Sequence, residues 1–213
     1  MRGVSLYTAL LAFLLLGCSG PAQLNVSDAE SYFIEHMNQQ AVRHTANGYE
    51  LEVKPMPSQY LALRETKVSG ILTQASYDSA HASYGQARYF LLTIKPQHGV
   101  RQGDIMMHDV QDYQAYQERF LDLSFQLSDR LTMEFEGGAL PPVLTNTEHG
   151  YGLTEHRSAM VAFAPSSDAE YQAITNGPVT LVFDDRIFKT GISRFPFAAA
   201  ADNVFPLVRI NKT

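Results

Sequence analysis

Residues 121–136 read Leu121-Asp122-Leu123-Ser124-Phe125-Gln126-Leu127, then Ser128-Asp129-Arg130, then Leu131-Thr132-Met133-Glu134-Phe135-Glu136. An apolar side chain at every second position is the period of a strand with one face in a core and the other in water. Two such runs joined by a short polar link predict an antiparallel hairpin with Leu121, Leu123, Phe125, Leu127, Leu131, Met133 and Phe135 on its inner face. Beyond it, Gly137-Gly138 turns the chain into a run from Ala139 to Thr145. Ser158 to Ala164 predicts another strand, ended by Pro165, and Val179 to Phe183 a buried one after Gly177-Pro178. Ile187 to Phe197 supplies one or two more, and Val204 to Ile210 a last. Many short strands with turn signals between them suit an antiparallel β-sandwich. The chain has no Trp and a single Cys, so an antibody-type core built on a disulfide and a tryptophan is excluded.

Upstream the period is different. Ser27-Asp28-Ala29-Glu30 has the Ser-x-x-Glu spacing of a capping box and predicts a helix start. Ala29, Phe33, Ile34, Met37 and Ala41 share one side of the helical wheel, and His44 falls inside that face as a packing histidine. Asn47-Gly48 is read as the helix stop, Tyr49 to Val53 as a strand ended by Pro55 and Pro57, and Ser58 to Gln86 as mixed helix and loop. Arg88 to Ile94 suits a buried strand closed by Pro96 and Gly99. Asp109 is placed to cap a second helix through about Arg119, with Val110, Tyr113, Tyr116 and Phe120 on one aromatic face. The expected class is α+β: a helical and mixed segment over 27–120, then a sandwich-like segment over 121–213, packed as one unit.

Composition narrows the function. Sixteen Lys and Arg against 22 Asp and Glu leave a net charge of −6, the wrong sign for a protein whose main partner is a nucleic acid. The lone Cys18 excludes an internal disulfide and any Cys-rich metal site. It stands at the end of MRGVSLYTALLAFLLLGCSG, in which Ala9 to Leu16 is uninterruptedly apolar. That run is too short for the roughly 20 residues of a membrane-spanning helix and has the proportions of an export signal.

Leu15-Leu16-Gly17-Cys18 resembles the lipobox of bacterial lipoproteins, a resemblance confined to the leader. It implies that residues 1–17 are a signal peptide removed before Cys18 and that the Cys18 thiol carries a diacylglyceryl group. Residues 18–26 become an acylated tether, because two or three acyl chains are what stable anchoring needs. Ser19, rather than Asp, follows the Cys, which in a diderm host resembles the signal for the outer membrane, with the domain facing the periplasm.

The remaining constellations are weak chemically. Glu148-His149 and Glu155-His156 flank Gly150-Tyr151-Gly152 and could converge on one ion, but their spacing is neither His-Glu-x-x-His nor a helical i, i+4 pair. His36 and His44 stand too far apart for shared chelation, and His108 beside Asp109 reads as part of a helix start. Asp184-Asp185, with a loop carboxylate such as Asp202, offers oxygen ligands for calcium but matches no calcium loop and reads as a polar turn. Gly191-Ile192-Ser193-Arg194-Phe195 lacks the second glycine of a nucleophile elbow, and Gly150-x-Gly152 has Glu155 where a dinucleotide fingerprint needs glycine. The expectation is therefore a membrane-anchored envelope lipoprotein that binds or assembles with an envelope protein or small ligand, without cofactor or metal and without nucleic acid. The alternatives are a metal-dependent periplasmic hydrolase using His149 and His156, and a solute-binding lipoprotein.

Overall fold

The computed structural model describes residues 23–148, 154–199 and 205–210. Residues 1–17, read above as a signal peptide, and Cys18, His149 and Asp202 lie outside them. Strand β1 (Gln23–Asn25) leads directly into helix α1 (Val26–Gln39). The cap is Asn25, whose side-chain oxygen accepts from the Asp28 N–H at 3.0 Å, so the helix starts ahead of the expected Ser27. Ala29, Phe33 and Met37 are buried as expected. The helix ends at Gln39 and leaves out Ala41 and His44, because β2 (Val42–Ala46) pairs antiparallel with β3 (Tyr49–Met56). Asn47-Gly48 is thus a hairpin turn and not a helix stop. Asn47 (φ 51°) and Gly48 (φ 76°) are both left-handed, the geometry that matches a two-residue turn to the twist of its strands. His44 does pack, but from a strand: its ring lies 4.8 Å from that of Phe195.

The segment after Met56 is two helices, α2 (Ser58–Val68) and α3 (Gln74–Tyr84). Their periodicity is faint for a physical reason. Six consecutive residues of α2, Ser58 to Leu63, are buried, so its first turns are covered all round and show no single apolar stripe. Strand β4 (Arg88–Pro96) follows. Asp109 does not cap a helix; it adopts φ 57° and binds Arg101. The cap of α4 (Tyr113–Leu121) is Asp112, which accepts from the Ala115 N–H at 2.8 Å.

The first half of the deciding stretch is not a strand. From α4 the chain continues through a π-helical turn (122–126) and a 3-10 turn (127–130). Leu123 and Leu127 are buried, while Leu121 and Phe125 are 49% and 73% exposed. A Leu-x-Leu-x-Phe-x-Leu run satisfies i, i+4 as well as i, i+2, and packing selects the former: Leu123 and Leu127 enter the core and the Leu123 carbonyl accepts from the Thr147 hydroxyl. The second half is a strand, β5 (Leu131–Phe135), whose hairpin partner is β6 (Gly138–Leu140) downstream. There follow β7 (Leu144–Thr147), β8 (Arg157–Phe163), α5 (Asp168–Asn176), β9 (Val179–Asp185), β10 (Gly191–Phe197) and β11 (Leu207–Arg209). Helix α5 was not foreseen, although Ser167-x-x-Glu170 has the capping-box spacing and Ser167 does accept from the Glu170 N–H.

The protein is α+β, with a helical N-terminal segment ahead of its sheets. One sheet has the order β2-β3-β4-β8-β7, the other β10-β9-β5-β6, and both are antiparallel; β1 and β11 form a separate parallel pair. The five-stranded sheet therefore begins at Val42, well before residue 121. Inward residues of the two sheets, among them Leu51, Phe90, Leu92, Val161, Met133, Leu181, Phe183 and Phe195, share one core. A second core lies on the outer face of the five-stranded sheet, where Met56, Tyr89, Leu91 and Met160 meet α1, α2, α3 and the β11 segment. Because β4 packs on both faces, its sequence reads as a nearly continuous apolar run.

Candidate functional site: a cleft beside Arg88

Antiparallel pairing of β3 with β4 brings Pro55 to Ser58 beside Ala87 to Tyr89. Pro57, extended at ψ 142°, stands at the N-cap of α2, where its fixed φ and missing N–H are tolerated. With Gln40, Phe205 and the end of β10 (Pro196 to Ala199), these residues wall a cleft of about 250 Å³. A second hollow of about 200 Å³ lies beyond Ser58, Ala87 and Arg88, against His81, Tyr171 and Ile174. Arg88 is the post between them. Its Nη1 donates to the Ile174 carbonyl at 2.6 Å and its Nη2 to the Ala198 carbonyl at 3.1 Å, so one guanidinium ties α5 and the β10 end to the sheet.

The cleft walls carry the Met56, Phe197 and Phe205 side chains and the polar groups of Gln40, Ser58, Arg88 and Tyr89. Burial pushes the Tyr89 phenol up, and Tyr84, edge-on to it at 5.5 Å, is pushed up to about 12 by burial and by its hydrogen bond with Glu65. Both phenols stay protonated at neutral pH. Among the described residues the Ser58 hydroxyl donates to the Gln59 side chain at 3.3 Å and His81 stacks on Tyr77, so the two do not form a nucleophile–base pair.

Of the residues singled out by sequence, those that are described have other partners. The Glu148 N–H donates to the Ser158 carbonyl at 2.8 Å, and the Glu155 carboxylate accepts from the Gly103 N–H at 3.2 Å. His156 is exposed. Among the described residues no three His, Cys, Asp or Glu are grouped as metal ligands would be. Asp184 bonds Arg186. Asp185, 1% exposed, accepts from the N–H groups of Ile187, Phe188 and Thr190 and from the Thr190 hydroxyl. Its carboxylate closes the β9–β10 turn and has little lone-pair capacity left for a cation. His36 bonds Gln40 at 2.7 Å and packs on Phe205.

One polar cluster escaped the sequence reading. Arg101 lies 4.8 Å over the Tyr49 ring and donates to Asp109 at 2.7 Å and to the Tyr49 hydroxyl at 3.3 Å. Arg119 donates to the Ile105 and His108 carbonyls and lies over Phe188. The His108 Nε2 is 2.8 Å from the Gln102 carbonyl, and its Nδ1 is buried without a hydrogen-bond partner. Burial raises the Tyr49 phenol and lowers the Arg119 guanidinium, without removing either proton at neutral pH. The two arginines spend their donors on loop carbonyls and Asp109, so the cluster is a latch on the 97–109 loop. No local spacing links positions 49, 101, 109 and 119, and only the cap-like His108-Asp109 pair drew notice.

No protein-family model and no curated protein matches the chain. A crystal structure of a Burkholderia pseudomallei protein of unknown function aligns with 85% of this chain and 92% of its own, at 10% identity and a TM-score of 0.39. That similarity is too slight to bear on fold or function. No helix among the described residues is long and apolar enough to cross a membrane.

Proposed function

We propose that this chain is an acyl-anchored lipoprotein of the bacterial envelope, held in the outer membrane of a diderm host, whose folded domain binds another envelope protein through the cleft beside Arg88. The carrying observation is the wall of that cleft. Among its described residues it has apolar side chains, amides, a hydroxyl, a phenol and a guanidinium, but no carboxylate, imidazole or thiol. A cleft of about 250 Å³, near the small end of the roughly 300–1,000 Å³ of small-molecule pockets, can take one or two side chains of a partner. Leu15-Leu16-Gly17-Cys18 supports the anchor.

Two measurements test the reading. Fatty-acid labelling should mark the wild-type protein and not Cys18→Ala; an unlabelled wild type removes the anchor. A photo-crosslinking residue at Ala198, exposed on the rim, should trap a discrete envelope protein in cells. Ala87→Trp, which fills the cleft, should abolish that product, and its persistence would remove the cleft from the binding site.

A further inference from the structure

We propose that the end of α2 at Val68 and the loop Ser69-Gly70-Ile71-Leu72 that follows it dip into the bilayer surface beside the acylated Cys18 and fix the domain's orientation on the membrane. The inference rests on the lipoprotein reading. The segment presents apolar side chains to water: Val68 is 85%, Ile71 60% and Leu72 40% exposed. From Val68 to Ser76 the chain has no charged residue, so nothing in the segment resists transfer to a membrane interface. Gly70, at φ +71°, makes the tight bend that pushes the two apolar flanks outward.

Position singles out the membrane as the occupant. Gln74, just after the loop, accepts from the Ile210 N–H at 3.0 Å and donates to the Val208 carbonyl. Val208 is the register partner of Leu24 in the parallel β1–β11 pair. The loop is thus fastened to the strand pair by which the chain enters the fold. Cys18 stands five residues before Gln23, and five residues span at most about 17 Å. An anchored Cys18 therefore keeps Gln23 within about 17 Å of the headgroups, with the Gln74 contacts to Val208 and Ile210 further along the same short strand pair. Leu207, 55% exposed on the same pair, adds apolar surface there.

The loop backbone suits the interface as well, because bare peptide groups are what makes such a transfer costly. The Ile71 carbonyl accepts from the Thr73 N–H at 3.1 Å and the Ser76 hydroxyl at 2.6 Å. The Ser69 N–H donates to the Glu65 carbonyl and the Gly70 N–H to the Lys67 carbonyl. With a net charge of −6 the protein gains no general attraction to anionic lipid, so apolar contact must supply the second attachment.

The test uses the full acylated chain reconstituted in phosphatidylcholine–phosphatidylethanolamine vesicles. Cys18 is the sole cysteine and its sulfur is consumed by the acyl group, so Ile71→Cys creates a unique thiol for an environment-sensitive fluorophore. Ile192→Cys, 69% exposed on β10 in the sheet that does not carry α1, α2 and α3, is the control. The Ile71 probe should shift to the blue and be quenched by spin-labelled lipid, and the Ile192 probe should not. Equal quenching, or none, at the two positions in protein that carries fatty acid would overturn the inference while leaving the anchor. Absence of fatty acid would overturn both.

Discussion

Phe125 and Phe183 are the same residue type with opposite structural weight. Phe125 is 73% exposed on the π-helical turn, whereas Phe183 is fully buried between the sheets. Phe125→Ala should change unfolding free energy by no more than about 0.5 kcal/mol, and Phe183→Ala should cost about 3–5 kcal/mol. Urea titration of both variants checks the assignment, and equal losses would restore the strand register. Glu52 makes a pH prediction. Burial pushes its carboxyl up, but its hydrogen bonds and ion pairs with Lys54 (2.9 Å) and Arg43 (2.5 Å) outweigh burial and hold it below the ordinary value. A lowered native pKa means the unfolded chain binds the proton more readily, so the pairing stabilises above the unfolded pKa and fades as pH falls through the native one. The stability difference between wild type and Glu52→Gln should therefore be constant near neutrality and shrink in acid. A gap that does not change with pH would dismiss the charge contribution.

Elements were legible where their environment is simple. Strands β4, β8 and β9 stood out because long apolar runs closed by Pro, Gly or charge have few other uses. The β2–β3 hairpin was hidden because Met37, Ala41 and the packing His44 continue the spacing of α1, which masks the Asn-Gly turn signal. That turn yields a direct test. Gly48→Ala places a Cβ at φ +76°, where it also meets the Arg101 side chain at 2.8 Å. The left-handed backbone alone should cost about 1–2 kcal/mol, and the displaced Arg101 should loosen the 97–109 loop. A thermal melt shows the first effect and faster proteolysis at that loop the second; an unchanged melt would contradict the turn geometry.

At the scale of the molecule, the five-stranded sheet is covered on both sides, by the second sheet and by the helical layer. Strand β4 sits at its centre, so opening it disrupts both cores. Among the described residues the β1–β11 pair has three register pairs and no third strand. Native-state hydrogen exchange should therefore find the β4 and β9 amides slowest, at the global unfolding free energy, and the β1–β11 amides several orders of magnitude faster. Similar protection in both places would mean that the terminal pair belongs to the cooperative core.

The sequence by itself determined the α+β class, most strand positions in the second half and the start of a helix near residue 26, because local periodicity, caps and turn residues act within a few positions of the chain. The lipobox resemblance is local in the same way. Tertiary structure alone decided that Leu121 to Leu127 remains helical, since that run satisfies two periods and only its packing on β7 and the core selects one. It alone decided which sheet each strand joins and that both faces of β4 are buried. The cleft beside Arg88 and the Tyr49–Arg101–Asp109–Arg119 latch were illegible for the same reason. Each is assembled from residues tens of positions apart, and no spacing along the chain records a contact that only the folded sheets create.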